Sequence, residues 1–314
     1  MTADSPLLPL VADPDAPGAM RLDDARLAPA LAVIAQRHAL DLSGAARCRY
    51  GSSPVFLTER LAIKLVPPQW APELERESVA LARIEGRLPV ETPAVVAVGG
   101  LEGWRYLVTR RLGGVSLRDL RDTLSPRERV ALAGDVGASL AALHRLPCDD
   151  LPTLTVDWPR FAEARVAACM DFQRRHGLGE AAVEAIPAVL ARGAPLVPDA
   201  RRALLHADLH HEHVMLTQRD GAWTLSGLLD LGDAVVGHPD YELVTPAFFV
   251  VDASTEGRAA FFDAVGFRCD ERASRRLMAW SVLHRFNALS RYLTAPHDAQ
   301  VFESLRARYW PVLA

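Results

Sequence analysis

The feature that most constrains this chain is a single positive charge inside an apolar strand. Lys64 is the only lysine among 35 basic residues, and it interrupts the otherwise apolar run Leu61–Val66. A charge in the middle of a strand must meet a counter-charge or line a cleft, because burying it unpaired costs free energy. All the other basic residues are arginine, so position 64 has a compact ammonium group where the rest of the chain uses a wide, planar guanidinium. The alternative interpretation is an edge-strand lysine whose ammonium group reaches solvent.

The order of predicted elements indicates two lobes. A chain of 314 residues is too long for one small core. Its first third contains short strand patterns, an amphipathic helix over residues 23–40 and another over Glu73–Ile84. A capping box that begins at Ser125 then opens a long helix, and the rest is helical apart from an inserted hairpin near residues 219–221.

We therefore predict an α+β chain with a flexible amino-terminal tail and two unequal lobes. The tail covers residues 1–20, where prolines are frequent and periodicity is weak. A small, β-rich lobe covers residues 21–110, and a larger helical lobe covers residues 111–314.

Composition excludes several classes of protein. The net charge of -4 argues against nucleic-acid binding, which usually requires a basic stripe. The four cysteines form no closely spaced pair, which argues against a zinc knuckle and a disulfide framework. We see neither a signal peptide nor an apolar run that could span a membrane. The expectation is a cytoplasmic protein, monomeric or homodimeric, with no nucleic-acid or membrane partner.

Two aspartates flank the predicted hairpin of the second lobe. Asp208 lies in a loop after a short strand, and Asp230 ends the second hairpin strand. In isolation, an aspartate before Leu231 and Gly232 is more often a turn residue than a ligand. However, the hairpin brings these two aspartates together. Phosphoryl transfer from ATP needs a cation on the phosphates, carboxylates on Mg²⁺ and a carboxylate that orients the attacking hydroxyl.

The chain supplies these groups in the order that kinases use. Lys64 would contact the phosphates, and Glu77 on the next helix would pair with it, with Glu73 and Glu75 as alternatives. Asp208 would take the proton of the acceptor hydroxyl as the catalytic residue. Asp230 would bind Mg²⁺. His213, five residues after Asp208, stands where asparagine is usual, and magnesium prefers oxygen ligands, so its metal role is an open question.

These residues give the chain a resemblance to the aminoglycoside phosphotransferase family, nearest to the hygromycin B kinases. The segments that carry it are AIKLV (62–66), ERESVALARI (75–84), YLVTRRLGG (106–114), LLHADLHHEHVML (204–216) and GLLDLGDAVVGHPDYEL (227–243). The resemblance implies a two-lobe protein-kinase-like fold with ATP and Mg²⁺ in the cleft. It also implies that Gly51, Ser52 and Ser53 cover the phosphates.

The same resemblance makes Tyr106–Arg111, including Thr109 and Arg111, the hinge whose backbone binds adenine. It also shows one departure: His238 stands where the family usually has an aspartate, which puts the structural role of that position in doubt.

The acceptor is expected to be a small cation. Seven acids and a single arginine, Arg219, fall between residues 205 and 245. An acidic cleft would attract an aminoglycoside such as hygromycin B, which would be an antibiotic-resistance activity, or a choline-like metabolite. The alternative is that these acids surround a metal site and do not select a cationic acceptor.

Two further functions remain open from the sequence. A catalytically weak pseudokinase is suggested by His213. A metal-dependent hydrolase is suggested by five of the ten histidines, which fall between residues 206 and 238. The hydrolase would leave Lys64 and Glu77 unexplained. A protein kinase is disfavoured because no long activation loop follows Asp230.

Overall fold

The computed structural model describes residues 6–16, 18–251, 254–294 and 298–313. Its amino-terminal lobe is built on an antiparallel sheet of five strands in the order β1-β2-β3-β5-β4. The strands are β1 (Ala46–Arg47), β2 (Val55–Leu57), β3 (Leu61–Val66), β4 (Val95–Leu101) and β5 (Trp104–Arg110). Strand β3 lies in the middle, so the strand that carries Lys64 pairs on both edges and is not an edge strand.

Two helices pack on this sheet. Helix α1 (Asp24–His38) is capped by Asp23, whose carboxylate accepts from the backbone N–H of Ala25 at 3.0 Å. Helix α2 (Ala71–Ile84) follows a short 3₁₀ turn and buries Leu74, Leu81 and Ile84. The helical spacing of these residues gives α2 one apolar face, and Glu77 lies on that buried face.

The segment before α1 is part of this lobe. Leu8, Val11 and Met20 are buried in the cluster that also holds Ile34 and Ile63. The N–H of Leu8 donates to Glu102 at 2.9 Å. The prediction of a flexible tail is therefore wrong for residues 6–16 and 18–20, because three spaced apolar side chains find a core there; residues 1–5 and 17 lie outside the described residues.

The carboxy-terminal lobe is mainly helical. Its helices are α3 (Leu117–Leu120), α4 (Pro126–His144), α5 (Trp158–Arg175), α6 (Glu180–Gly193), α7 (Pro239–Glu242), α8 (Val244–Phe249), α9 (Thr255–Val265), α10 (Glu271–Leu283) and α11 (Val301–Tyr309). Its strands are β6 (Val115–Ser116), β7 (Ala203–Leu205), β8 (Val214–Arg219), β9 (Ala222–Leu228) and β10 (Val235–Gly237). The predicted α+β division into a small sheet lobe and a larger helical lobe is confirmed.

Small antiparallel sheets in this lobe position the site loops. Strand β7 pairs with β10, and β8 pairs with both β6 and β9. The β8–β9 hairpin brings its two ends together, so the loop after β7 and the loop after β9 become neighbours. Residues 111–114 link the lobes. Among the described residues, none of the helices combines the length and apolar character that crossing a membrane requires.

The long helix α4 begins at the predicted capping box. The Ser125 hydroxyl accepts from the N–H of Glu128 at 3.3 Å, and the Glu128 carboxylate accepts from the N–H of Ser125 at 2.8 Å. Glu128 also accepts from the backbone N–H of Trp223 at 2.8 Å, which fastens the helix to strand β9. The cap therefore joins a helix to the hairpin that carries the site loops.

Ser125→Ala should lower the free energy of unfolding by about 1 kcal/mol, since it removes one capping acceptor. Glu128→Ala should lower it further, because the Trp223 N–H loses its partner as well. Urea unfolding followed by circular dichroism measures both, with Ser304→Ala on the exposed side of α11 as a control. Equal stability of the Ser125 and Glu128 variants would contradict the helix-to-hairpin role of Glu128.

Candidate active site

Lys64 lies between two carboxylates from different parts of the chain. Its Nζ is 2.8 Å from Oε2 of Glu77 on α2 and 3.0 Å from Oδ1 of Asp230, which follows β9 in the other lobe. Glu77 is buried, and Lys64 is largely covered. Of the three glutamates considered on α2, Glu77 is therefore the one that pairs with Lys64.

Burial and ion pairing have opposite effects on the pKa values of the triad Lys64, Glu77 and Asp230. Burial works against the charge of Lys64, but Asp230 and Glu77 outweigh it and raise the lysine pKa above its ordinary value. Burial also works against ionisation of Asp230, but Lys64 and His213 outweigh it and lower that pKa. Burial, together with the negative charge of Asp230, outweighs the effect of Lys64 and raises the pKa of Glu77 to about 7. The lysine is thus held charged in the cleft, between its two carboxylates.

The loop that carries Asp208 is held by a carboxylate from α7. After β7 ends at Leu205, the backbone N–H groups of His206 and Ala207 both donate to the buried carboxylate of Glu242, the second at 3.1 Å. Ala207 has φ of 63°, a left-handed conformation that costs a non-glycine residue free energy. The two charge-assisted hydrogen bonds offset that strain and fix the direction in which the loop leaves the strand.

The two aspartate loops are joined by histidines. Nε2 of His206 donates to the carbonyl of Leu229 at 2.9 Å, directly before Asp230. Nδ1 of His213 donates to the backbone carbonyl of Asp208 at 2.8 Å, and the N–H of Leu229 donates to the carbonyl of His213 at 2.9 Å. Asp230 itself has φ of 59°. Asp208 and Asp230 are therefore set by one hydrogen-bonded unit, as the hairpin predicted.

His213 and Asp230 are the residues that could hold a divalent cation beside the phosphate lysine. Because the Asp208 carbonyl can only accept, the proton of His213 is on Nδ1, and Nε2 keeps its lone pair. This Nε2 is 3.6 Å from Oδ2 of Asp230. Burial lowers the pKa of His213 despite the nearby Asp230, which favours the neutral ring that a metal requires. The donor set is one imidazole nitrogen and one carboxylate, a mixture that suits Mn²⁺ better than Mg²⁺.

The cleft between the lobes contains the predicted nucleotide-binding positions. A cavity of about 340 Å³ is lined by Ser52, Ser53, Lys64, Glu77, Thr109 and Arg111, and His213 and Asp230 lie at its inner end. Tyr50 crosses the front of the cleft: its hydroxyl donates to Asp119 at 3.2 Å, and the Arg118 guanidinium lies 4.1 Å from its ring centroid. No motif in the sequence pointed to Tyr50.

The hinge is shorter than the sequence predicted. Residues 106–110 lie inside β5, and their backbone is engaged in the ladders with β3 and β4. The N–H of Arg111 donates to the carbonyl of Arg60 at 2.9 Å, and the Arg111 guanidinium donates to the carbonyl of Thr58 at 2.7 Å. Because β5 pairs on both edges up to Arg110, only Arg111 of the expected hinge Tyr106–Arg111 lies in the segment that links the lobes.

A second cavity adjoins Asp208. Its volume is about 350 Å³, and it lies between the Asp208–Glu212 loop, the end of α5, the end of α8 and residues 285–291. Burial raises the pKa of Asp208 to about 8, and the charges of Asp233 and Asp230 act in the same direction while Arg285 opposes them. Asp208 thus faces this cavity, whereas Lys64 and Asp230 face the nucleotide cleft.

The acids counted in the sequence do not form the expected acidic cleft. Asp240 and Glu242 are buried; Asp240 pairs with Arg276 at 2.5 Å and Glu242 holds the Asp208 loop. The other pairings come from distant segments: Glu212 with Arg118 and Asp233 with Arg285. These arginines lie far from their partners in the sequence. Counting the acids between residues 205 and 245 therefore overestimated the negative charge of the cleft.

The histidines likewise separate into different roles. His238 caps α7 through Nδ1, which accepts from the N–H of Asp240 at 3.3 Å, and its Nε2 contacts Asp199 at 3.2 Å. It therefore acts as the helix cap in place of the usual aspartate. Asp208, His210 and His213 remain as a group whose ligand atoms lie within 4.8 Å of one another. The five clustered histidines of the sequence are not one zinc site.

Solved structures share this fold at low sequence identity. The GDP complex of wild-type aminoglycoside 2'-phosphotransferase-IIIa matches with a TM-score of 0.68 and 17% identity, over 90% of this chain and 93% of that one. The streptomycin–ATP ternary complex of APH(2")-IIa matches with a TM-score of 0.60 and 20% identity, over 90% and 98%. APH(3'')-Id from Streptomyces rimosus matches with a TM-score of 0.58 and 20% identity, over 84% and 99%.

These similarities confirm the kinase-like two-lobe fold. A special nearness to the hygromycin B kinases stays a prediction, since the structural matches do not establish it. The model of the phosphotransferase enzyme family matches residues 46–280, which include the Lys64 strand, the hinge, both aspartate loops and α10. Because that segment is most of the 314 residues, the chain belongs to the phosphotransferase enzyme family.

Proposed function

We propose that this phosphotransferase moves the γ-phosphoryl group of ATP to a hydroxyl of a small molecule, in the cytoplasm. The observation that carries the proposal is that the Asp208 loop separates two cavities. Lys64 and Asp230 face the nucleotide cleft on one side, and Asp208 faces the second cavity on the other. Nucleotide binding is supported by the structural relatives, whose complexes hold GDP, ADP or ATP.

We assign different roles in the transfer to the residues of the two cavities. Lys64, held by Glu77, would contact the phosphates, and Ser52 and Ser53 would cover them. Asp208 would accept the proton of the acceptor hydroxyl as its oxygen bonds to the γ-phosphorus. The bond between that phosphorus and the bridging oxygen breaks, and ADP leaves with the bond's electron pair. Thr109 and Arg111 would border the adenine end of the cleft.

A divalent cation would be held by Asp230 and His213. Such a cation, when bound, neutralises charge on the phosphate oxygens. The chain's own contribution is to keep Asp230 ionised through Lys64 and to keep His213 neutral by burying it, while the hydrogen bond to the Asp208 carbonyl fixes the tautomer that leaves Nε2 free. Magnesium is proposed as the physiological ion because it accompanies ATP, although the nitrogen ligand favours manganese.

The first acceptor class to test is a cationic aminoglycoside such as hygromycin B. It is favoured by the structural relatives, whose complexes contain kanamycin, streptomycin or gentamicin. ADP release with kanamycin and hygromycin B tests it, and a resistance role would follow only from such activity. A choline-like acceptor is tested in the same assay.

Asp208→Asn should lower kcat for acceptor-dependent ADP release by about 10²- to 10⁴-fold, because the proton acceptor is lost. The Kd of ATP should change less than about threefold, since the side chain faces away from the nucleotide cleft. Coupled ADP release and calorimetric ATP titration measure the two quantities, with Asp220→Asn in the exposed hairpin turn as the matched control. Undiminished turnover in the Asp208 variant would exclude the mechanism.

Activity should depend on the ionisation of Asp208. Its raised pKa, about 8, means that the proton-accepting carboxylate forms as pH rises and is lost on acidification. Asp233→Asn removes a carboxylate that raises this pKa and frees Arg285, which lowers it, so the acid limb of kcat/KM should move to lower pH. The pH profile of ADP release checks this shift; an unmoved or upward-moved limb would contradict the assignment of Asp208.

His213→Asn should change metal preference. Replacing the imidazole nitrogen by an amide oxygen should lower the ratio of activity with Mn²⁺ to activity with Mg²⁺ by at least about threefold, because magnesium selects oxygen ligands. Initial rates across a concentration series of each ion give the ratio. His38→Asn, on α1 and outside both cavities, serves as the control. The same ratio in wild type and in the His213 variant would remove His213 from the metal site.

A further inference from the structure

The cavity beside Asp208 is lined by two arginines, one of which has no carboxylate partner among the described residues. Arg285 and Arg291 line it, together with Asp208 and Glu212 as its only carboxylates among the described residues. Arg291 is exposed on the 3₁₀ helix Leu289–Tyr292, and within the described ranges no carboxylate oxygen lies within 4 Å of its guanidinium. Its charge is therefore available to a ligand.

The carboxylates of the cavity are partly engaged. Glu212 pairs through one oxygen with Arg118, on the side of the nucleotide cleft. Asp208 is the proton acceptor under the proposed function. Asp233, a further carboxylate, pairs with one nitrogen of Arg285. Arg285 has five N–H donors, and this pairing leaves others for a ligand. Besides Asp208, only the second oxygen of Glu212 is left among the described lining residues to receive an ammonium group, against the two guanidiniums of Arg285 and Arg291.

The remaining wall is aromatic. Phe172, Phe249 and Phe286 line the cavity, and the Arg285 guanidinium lies 4.6 Å from the Phe286 ring centroid. His211 also lines it, and its buried Nδ1 has no hydrogen-bond partner in the described ranges. Flat apolar surfaces with one polar ring atom suit a planar or aromatic body better than a stack of amino sugars.

We propose that the acceptor is an anion: a hydroxyl compound with a flat apolar body and an oxyanion group, a carboxylate or a phosphate ester, that Arg291 and Arg285 bind. This proposal rests on the proposed function, since it assigns the substrate class of the same site. The acceptor's oxyanion lies at the arginine end and its hydroxyl lies at Asp208. An aminoglycoside places several ammonium groups against these guanidiniums and is disfavoured.

Binding of matched probes tests the charge preference directly. The probes are phenyllactate, the diol in which its carboxylate becomes a hydroxymethyl group, and the amino alcohol in which it becomes an aminomethyl group. Each is titrated calorimetrically into the full-length protein saturated with ADP and Mg²⁺. Phenyllactate should bind at least about tenfold more tightly than the amino alcohol, because a charge-assisted hydrogen bond is worth ~1.5–3 kcal/mol. The diol should fall between them.

Charge reversal supplies the second measurement. Arg291→Glu should invert the order of phenyllactate and the amino alcohol, whereas Arg272→Glu, a matched change at an exposed position on α10, should leave it unaltered. Arg291 is exposed, so the fold should survive the substitution. Equal or tighter binding of the amino alcohol to the wild type, no binding of any probe, or an unchanged order in the Arg291 variant overturns the proposal.

Its failure is distinct from failure of the proposed function. ADP release with kanamycin, together with tight binding of the amino alcohol, retains the phosphotransfer and overturns the anionic acceptor. Phenyllactate could instead bind preferentially while no hydroxy acid, phosphate ester or aminoglycoside gives ADP release. That result would support the preference for an anion and contradict the proposed phosphoryl transfer. To distinguish a carboxylate from a phosphate ester as the acceptor's oxyanion group, kcat/KM is compared between hydroxy acids and phosphate esters of matched shape.

Discussion

The contact between Lys64 and two carboxylates organises the rest of the molecule. Glu77 ties the lysine to α2, and Asp230 ties it to the loop after β9, so one ammonium group joins the sheet and helix of one lobe to the other lobe. In a low-dielectric cleft such a charge is stabilised only while both partners are present. The relative placement of the lobes and the charge on the phosphate site are therefore set by the same interaction.

The loop that holds Asp208 depends on a second buried charge. Glu242 receives two backbone N–H groups and so keeps Ala207 in a left-handed conformation that its side chain disfavours. His206 and His213 then connect this loop to Asp230. Strain of this kind persists only where the surroundings over-determine the backbone. Neither aspartate can move without disturbing hydrogen bonds of the other loop.

The sequence predicted the parts whose signal is local. Strand β3, helix α2, the capping box at Ser125 and the hairpin follow from periodicity and turn chemistry, so Lys64 and Glu77 could be paired in advance. It did not predict the pairing of acids with arginines, because Arg118, Arg276 and Arg285 come from segments far from their partners. The hinge was placed too early for a similar reason: only the sheet order shows that residues 106–110 have a strand on each side.

Under the proposed function, nucleotide and acceptor are bound by different elements of the fold. The proposed nucleotide side is built from β-strands and the Lys64 triad, whereas the proposed acceptor side is built from the ends of α5 and α8 and from residues 285–291. Arg285 lines the second cavity and pairs with Asp233. The charges of Arg285 and Asp233 act in opposite directions on the pKa of Asp208. An anionic acceptor held by Arg285 would partly neutralise a cation that lowers this pKa. The bound anion would then raise the pKa of Asp208 further, so the charge of the acceptor would move the formation of the proton-accepting carboxylate to higher pH through one guanidinium.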